Sequence, residues 1–134
     1  MTNIPTVHIS PFTRAAFEAV KRHNVEDAKH HRETGIVVGA IIKAFLDLGL
    51  KVSVNDGEET TVKMSQSYRE IIGATFSTDQ DYLIIHNDKL ERIGTVWLVY
   101  GNGSWEVAAD YTDHPIITKI IETVGNKYEE RFMK

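Results

Sequence analysis

The sequence predicts an α+β domain in which an antiparallel sheet of up to five strands carries helices packed mainly on one face. Three observations predict it. Residues 81–110 read as three successive strand segments, DYLIIH, RIGTVWLVYG and SWEVAAD, joined by turns rich in Gly, Asn and Asp. Residues 50–64 read as a hairpin folded about Asn55-Asp56-Gly57, whose residues tolerate positive φ. Two apolar stripes of helical period, from Val37 to Leu48 and from Ile117 to Tyr128, flank this region. With every strand connection a hairpin or a helix, a helix layer on an antiparallel sheet is the economical arrangement.

Taken in order, an arm of residues 1–10 leads into a helical region, 11–49. Ser10-Pro11 has the form of an N-cap followed by proline at the first helical position, where the missing N–H costs nothing. Phe12, Ala15, Ala16, Ala19 and Val20 then recur at helical spacing as a shallow, alanine-rich stripe. Asn24 is expected to interrupt this helix, and Val25 to Arg32 to form a second, exposed piece ending at Glu33-Thr34-Gly35. From Ile36 a buried helix follows, with Val37, Ile41, Ala44, Phe45 and Leu48 on one face and Gly49 as a left-handed C-terminal cap.

The sheet region, 50–111, holds one short helix. Leu50 to Val54 alternates as a half-buried strand does, and Thr60 to Met64 returns as its partner. Ser65 or Ser67 can cap the short helix, with Tyr68, Ile71 and Ile72 facing the core. Thr95 to Tyr100 is apolar at every position but the first, which predicts the central strand of the sheet, covered on both faces. The final helix, within 112–134, is expected to be capped by Thr112 or Asp113, with Pro115 in its first turn. Since a one-sided helix layer covers only one sheet face, the second face is expected to receive an N-terminal helix or a second subunit, so a homodimer is a working expectation.

At 134 residues the chain is sized for one domain with its own core. It contains no cysteine, which removes disulfides, thiolate metal sites and cysteine nucleophiles. A formal charge of −4 disfavours a nucleic-acid partner held by phosphate neutralisation. Arg14, Lys21, Arg22, Lys29 and Arg32 gather in the first quarter, while Asp56, Glu58, Glu59, Asp79, Asp81, Asp110 and Asp113 fall at strand ends. No stretch approaches the roughly 18 apolar residues of a membrane span, and the first residues do not read as a signal segment. The expected location is cytoplasmic.

Motifs that carry chemistry are sparse. His30 and His31 are adjacent and diverge on a helix, so they form a poor ligand pair. The better metal candidates are Asp110, Asp113 and His114 at the exit of the last strand, joined by His86 from a neighbouring strand, although helix capping by Asp113 explains the same residues more simply. No serine elbow, P-loop or dinucleotide glycine motif occurs. No catalytic residue or cofactor is assigned. Asp56, Glu58 and Glu59 cluster on the first hairpin, where carboxylates can serve as an acid/base pair or ion site, although a solvated turn explains them more simply. Tyr82 and Trp97 form a candidate aromatic platform if they project from the face not covered by helices, and are otherwise core.

The series LGLKVSVNDGEETTVKMS, ATFSTDQDYLIIHN, IGTVWLVYGNG and VAADYTD resembles a group of small uncharacterised proteins from phages and proteobacterial genomes. The shared pattern is an Asp-Gly-Glu turn, an acidic entry to the next strand, a strand ending in Gly-Asn and an Asp-Tyr-Thr close. It covers about Leu48 to Asp113 and leaves out His30 and His31. The resemblance implies a phage or prophage accessory factor that binds a host protein such as a defence component. The leading expectation is therefore a non-enzymatic interaction protein, working as a homodimer or on a host protein through Tyr82, Trp97, Asp56, Glu58 and Glu59. A small-molecule-binding or sequestering protein is the alternative, and a metal-dependent hydrolase built on Asp110, Asp113, His114 and His86 is the third reading.

Overall fold

The computed structural model describes residues 11–133, with side chains from residue 28 onward. The chain runs α1 (Pro11–Asp47), β1 (Lys51–Asn55), β2 (Thr60–Ser65), α2 (Tyr68–Gly73), β3 (Gln80–His86), β4 (Arg92–Val99), β5 (Ala108–Tyr111) and α3 (Pro115–Phe132). All neighbouring strands are antiparallel, in the order β2-β1-β3-β4-β5, so the fold is the α+β arrangement that the sequence predicts. The arm of residues 1–10, the cap at Ser10 and the side chains of the stripe from Phe12 to Val20 lie outside the described residues.

Cross-strand pairing sorts the side chains. Val54, Leu83 and Val96 face one another, as do Val52 and Ile85, and every one of these side chains is fully buried. Above them lie Val37, Val38, Ile41, Ile42 and Phe45 of α1, Ile71 of α2, and Ile117, Ile120, Ile121, Val124 and Tyr128 of α3, all in one cluster. Each large apolar side chain placed there contributes about 1.5–3 kcal/mol. Gly49, at φ 78°, closes α1 in the expected left-handed cap, its N–H donating to the Leu46 carbonyl at 2.9 Å.

The structure corrects the expected organisation in five places. First, α1 is one helix, unbroken at Asn24 and at Glu33-Thr34-Gly35. Thr34 sits in it without breaking it because its hydroxyl donates to the His30 carbonyl one turn back at 2.8 Å, and accepts the Ser104 N–H at 2.8 Å from the far side of the fold. Second, the central strand is β3, not the Thr95 to Tyr100 segment; β4 stands one place from the edge, and only Gly94, Val96 and Leu98 on it are buried. Third, Ser104–Glu106 is a short 3-10 turn instead of a strand start, and β5 begins only at Ala108. The turn follows from Gly103 at φ 78° and Ser104 at φ 49°, which carry the chain back under α1. Fourth, α3 is capped by His114, whose Nδ1 accepts the Ile116 N–H at 3.2 Å, and not by Thr112 or Asp113. Pro115 immediately after it fixes the helical φ, so the residue before the proline takes the extended cap conformation. Fifth, Tyr68 is 44% exposed, its ring lying across α1 at Gly39, while Ile71 alone of α2 is fully buried. Ser67 is the cap of α2, accepting the Glu70 N–H at 3.2 Å.

Two glycines test this packing with opposite signs. A Cβ at Gly35 meets open space within the continuous helix, so Gly35→Ala should raise stability by about 0.5–1 kcal/mol through helix propensity. A Cβ at Gly94 falls 2.5 Å from Ile117 Cδ1 and 2.8 Å from Thr112 Cβ, so Gly94→Ala should cost about 1–3 kcal/mol, part of it recovered by Ile117→Val in the same chain. Urea denaturation of the three variants beside the native chain reads both effects; a destabilising Gly35→Ala would mean that the helix does break there.

Candidate interaction face

The period-2 alternation that buries Leu83, Ile85, Val96 and Leu98 sends the intervening residues to the opposite face. Pairing across the sheet arranges them in rungs. Thr60, Asn55, Tyr82, Trp97 and Asp110 are partners in turn across all five strands. The next rung holds Ser53, Ile84 and Thr95, and the one beyond it Lys51, His86 and Arg92. Asn55, Tyr82, Ile84, Thr95, Trp97, Val99, Lys51 and His86 are half-buried, and Arg92 and Asp110 are exposed.

The Tyr82 and Trp97 rings lie nearly parallel, 9° apart with centroids 6.2 Å from one another. A cross-strand aromatic pair of this kind contributes about 0.5–1.5 kcal/mol beyond burial. The indole Nε1 donates to Gln80 Oε1 at 2.8 Å, which fixes its orientation from the same face. Beside the pair runs a shallow groove of about 290 Å3 lined by Tyr82, Thr95, Trp97, Asp110, Tyr111 and Thr112. The aromatic pair that the sequence singled out is therefore a surface feature of the sheet, with Asp110 next to it.

The carboxylates of the first hairpin sit at the other flank of the same rung, because Asp56 follows Asn55. Asp56 Oδ1 accepts the Glu58 N–H at 2.8 Å and the Glu59 N–H at 2.9 Å, and these bonds hold its carboxyl below the usual range. Asp56 thus shapes the turn, and Glu58 and Glu59 present the exposed charge.

The four metal candidates have separate surroundings. His86 stands at the Arg92 end of β4, whereas Asp110 pairs with Trp97 toward the other end. His86 Nε2 is 3.1 Å from Ser53 Oγ, which also accepts the Met64 N–H. Burial first and the Arg92 charge second hold this imidazole below its usual pKa. His114 caps α3, Asp110 accepts the N–H of Tyr111, and Asp113 is exposed. Among the described residues no group of three or more His, Cys, Asp or Glu is placed to hold a metal ion.

Sequence reasoning missed the charged members of the face and one buried acid. Lys51 and Arg92 carry no motif, and their place beside His86 follows only from strand register. Asp81 was legible only as one of several strand-end acids, yet it is fully buried. Its Oδ2 accepts the Phe76 N–H at 3.1 Å and a short bond from the Tyr100 hydroxyl. Phe76 stacks on Tyr100 with centroids 4.1 Å apart, and the His31 ring meets Phe76 edge-on at 5.0 Å. This cluster ties α1 to the end of the sheet. Burial pushes the Asp81 carboxyl above its usual pKa, the bonds from Tyr100 and Phe76 pull it down, and the Asp56 charge adds to the rise. Burial and the neighbouring Asp81 likewise push the Tyr100 phenol far up.

A carboxyl whose pKa is raised on folding binds its proton more tightly in the folded chain, so its stabilising effect is greatest in acid and is lost as pH rises through the raised value. Asp81→Asn keeps one oxygen for both donors and removes the ionisation. The variant should therefore gain stability relative to the native chain as pH climbs from about 4 toward neutrality. Tyr100→Phe should cost about 1–3 kcal/mol by leaving the buried carboxyl short of a donor. Denaturation curves across pH check both; a native-to-Asn difference that is flat with pH would contradict the raised value.

Compared with known proteins, the chain matches no protein-family model, no curated protein and no solved structure.

Proposed function

We propose that this chain is a non-enzymatic interaction protein whose working surface is the sheet face opposite the helices, with Tyr82 and Trp97 as anchors and Asp110, Glu58 and Glu59 at the rim. The observation that carries the reading is the Tyr82–Trp97 pair, half-buried, stacked and pinned by Gln80 on a sheet face that presents Ile84 and Val99 as well. Rigid aromatic side chains bring large contact area at little entropic cost, and Trp and Tyr dominate the energetics of protein interfaces. The resemblance to phage and proteobacterial proteins supports an accessory role of the same kind, in which a bacterial host protein is among the partners. One observation favours a small-molecule reading, the groove of about 290 Å3 beside Trp97, which lies just below the range of typical ligand pockets. A partner's side chain fits the same space.

The absence of cysteine provides a direct probe. A thiol introduced by Thr95→Cys reports access to the middle of the face, and one introduced by Glu122→Cys reports on exposed α3. We expect a macromolecular partner fraction to slow alkylation at position 95 and to leave position 122 unaffected, with Trp97→Ala restoring the rate. Protection conferred only by the low-molecular-weight fraction would transfer the reading to a small ligand. Equal rates under all conditions, at dilutions where two copies do not pair, would remove the face as the working surface.

A further inference from the structure

The face proposed above is electrically polarised along its strands, and that polarity identifies what fits it. At one end lie Asp56, Glu58 and Glu59 on the first hairpin and Asp110 on β5, on either flank of Tyr82 and Trp97. At the other end, two rungs away, Lys51, His86 and Arg92 are cross-strand neighbours on β1, β3 and β4. Arg92 reaches back over this face, its guanidinium donating to Thr95 Oγ1 at 2.7 Å. The rung between the ends carries Ser53, Ile84 and Thr95 and no charge.

A surface that is acidic and aromatic at one end, carries Lys51 and Arg92 at the other and has no charge on the rung between them is complementary to itself when reversed. Resting on the reading of this face as the working surface, we propose that its occupant is a second copy of this chain, packed sheet against sheet about a twofold axis that crosses the strands at Ile84. Such an axis returns each strand over its own copy in the opposite direction. Tyr82 then lies across from the partner copy's basic rung, and Arg92 over the Trp97 indole beside Asp110. Lys51 approaches the acidic hairpin, and Ile84 meets its symmetry mate. Every contact but that of Ile84 on the axis occurs twice, as an isologous interface requires. Guanidinium on indole is a favourable cation–π geometry, and packed sheets align within about 30° of one another, which the antiparallel stacking of β3 on β3 allows.

Charge reversal tests both the partner and its orientation. The native chain should sediment as a concentration-dependent dimer, and Arg92→Glu or Asp110→Arg alone should each weaken it about tenfold or more, since like charges then face one another on both halves of the interface. Both residues are exposed, so the variants should retain the native far-UV spectrum. An equimolar mixture of Arg92→Glu and Asp110→Arg should form a heterodimer seen by native mass spectrometry, and the chain bearing both substitutions should dimerise again. Failure of the mixture and of the double variant to recover pairing would overturn the twofold arrangement. A native chain that stays monomeric up to millimolar concentration would overturn self-association altogether. In that case protection of position 95 by another protein would still uphold the interaction reading, and its absence would remove both.

Discussion

The register between β3 and β4 is the constraint on which the rest of the structure depends. With Leu83 opposite Val96 and Asp81 opposite Leu98, Gly94, Val96 and Leu98 of β4 lie under the helices and Trp97 lies outside beside Tyr82. A slip of one residue would exchange the two faces, exposing a core of fully buried side chains and burying the charged rungs. Three local devices hold the register. Asn87 Oδ1 accepts the Lys89 and Glu91 N–H groups and sets the length of the β3–β4 loop. Trp97 bonds Gln80 across the strands, and Tyr100 bonds Asp81 at the sheet's end. The polar groups at that end therefore act first as register marks, and the Asp81–Tyr100 pair has a structural explanation before any chemical one.

What was legible in the sequence was whatever local pattern decides. The apolar stripe of α3 was read residue by residue, because helical period is visible within one segment, and all five of its expected members are buried. The Asn55-Asp56-Gly57 turn and the Gly49 cap were legible for the same reason, since positive φ favours particular residue types. The continuity of α1 was not, because the group that satisfies Thr34 is the N–H of Ser104, which is 70 residues away in sequence. The central position of β3 was not legible either. TVWLVY looks fully buried because its outward residues, Trp97 and Val99, are themselves apolar, and sequence does not distinguish a core face from a sticky one.

The same limit governed the proposed working surface. Tyr82 and Trp97 could be named from residue type, and Glu58 and Glu59 from clustering, but no pattern along the chain joins Lys51, His86 and Arg92. These come together only once β1, β3 and β4 are laid side by side, as do Asn55, Tyr82, Trp97 and Asp110. The metal reading had the opposite fate: Asp110, Asp113 and His114 are close in sequence, yet each is occupied or oriented separately by backbone bonds, helix capping or solvent. Proximity along the chain overstated that cluster, and distance along the chain concealed the polarised face. An antiparallel sheet can leave one face to solvent, and here that side carries a stacked aromatic pair, Ile84 and Val99, with charged residues toward both ends.

The most direct test is the solvent accessibility of individual side chains, read from NMR line broadening by a soluble paramagnetic chelate on the chain diluted below the concentration at which two copies pair. Strong broadening is expected for the Trp97 indole, the Tyr82 ring and the Ile84 methyls, and little for Leu83, Ile85, Val96 and Leu98 on the same two strands. Equal attenuation of the two sets, or stronger broadening of the second, would contradict the register and with it the working face.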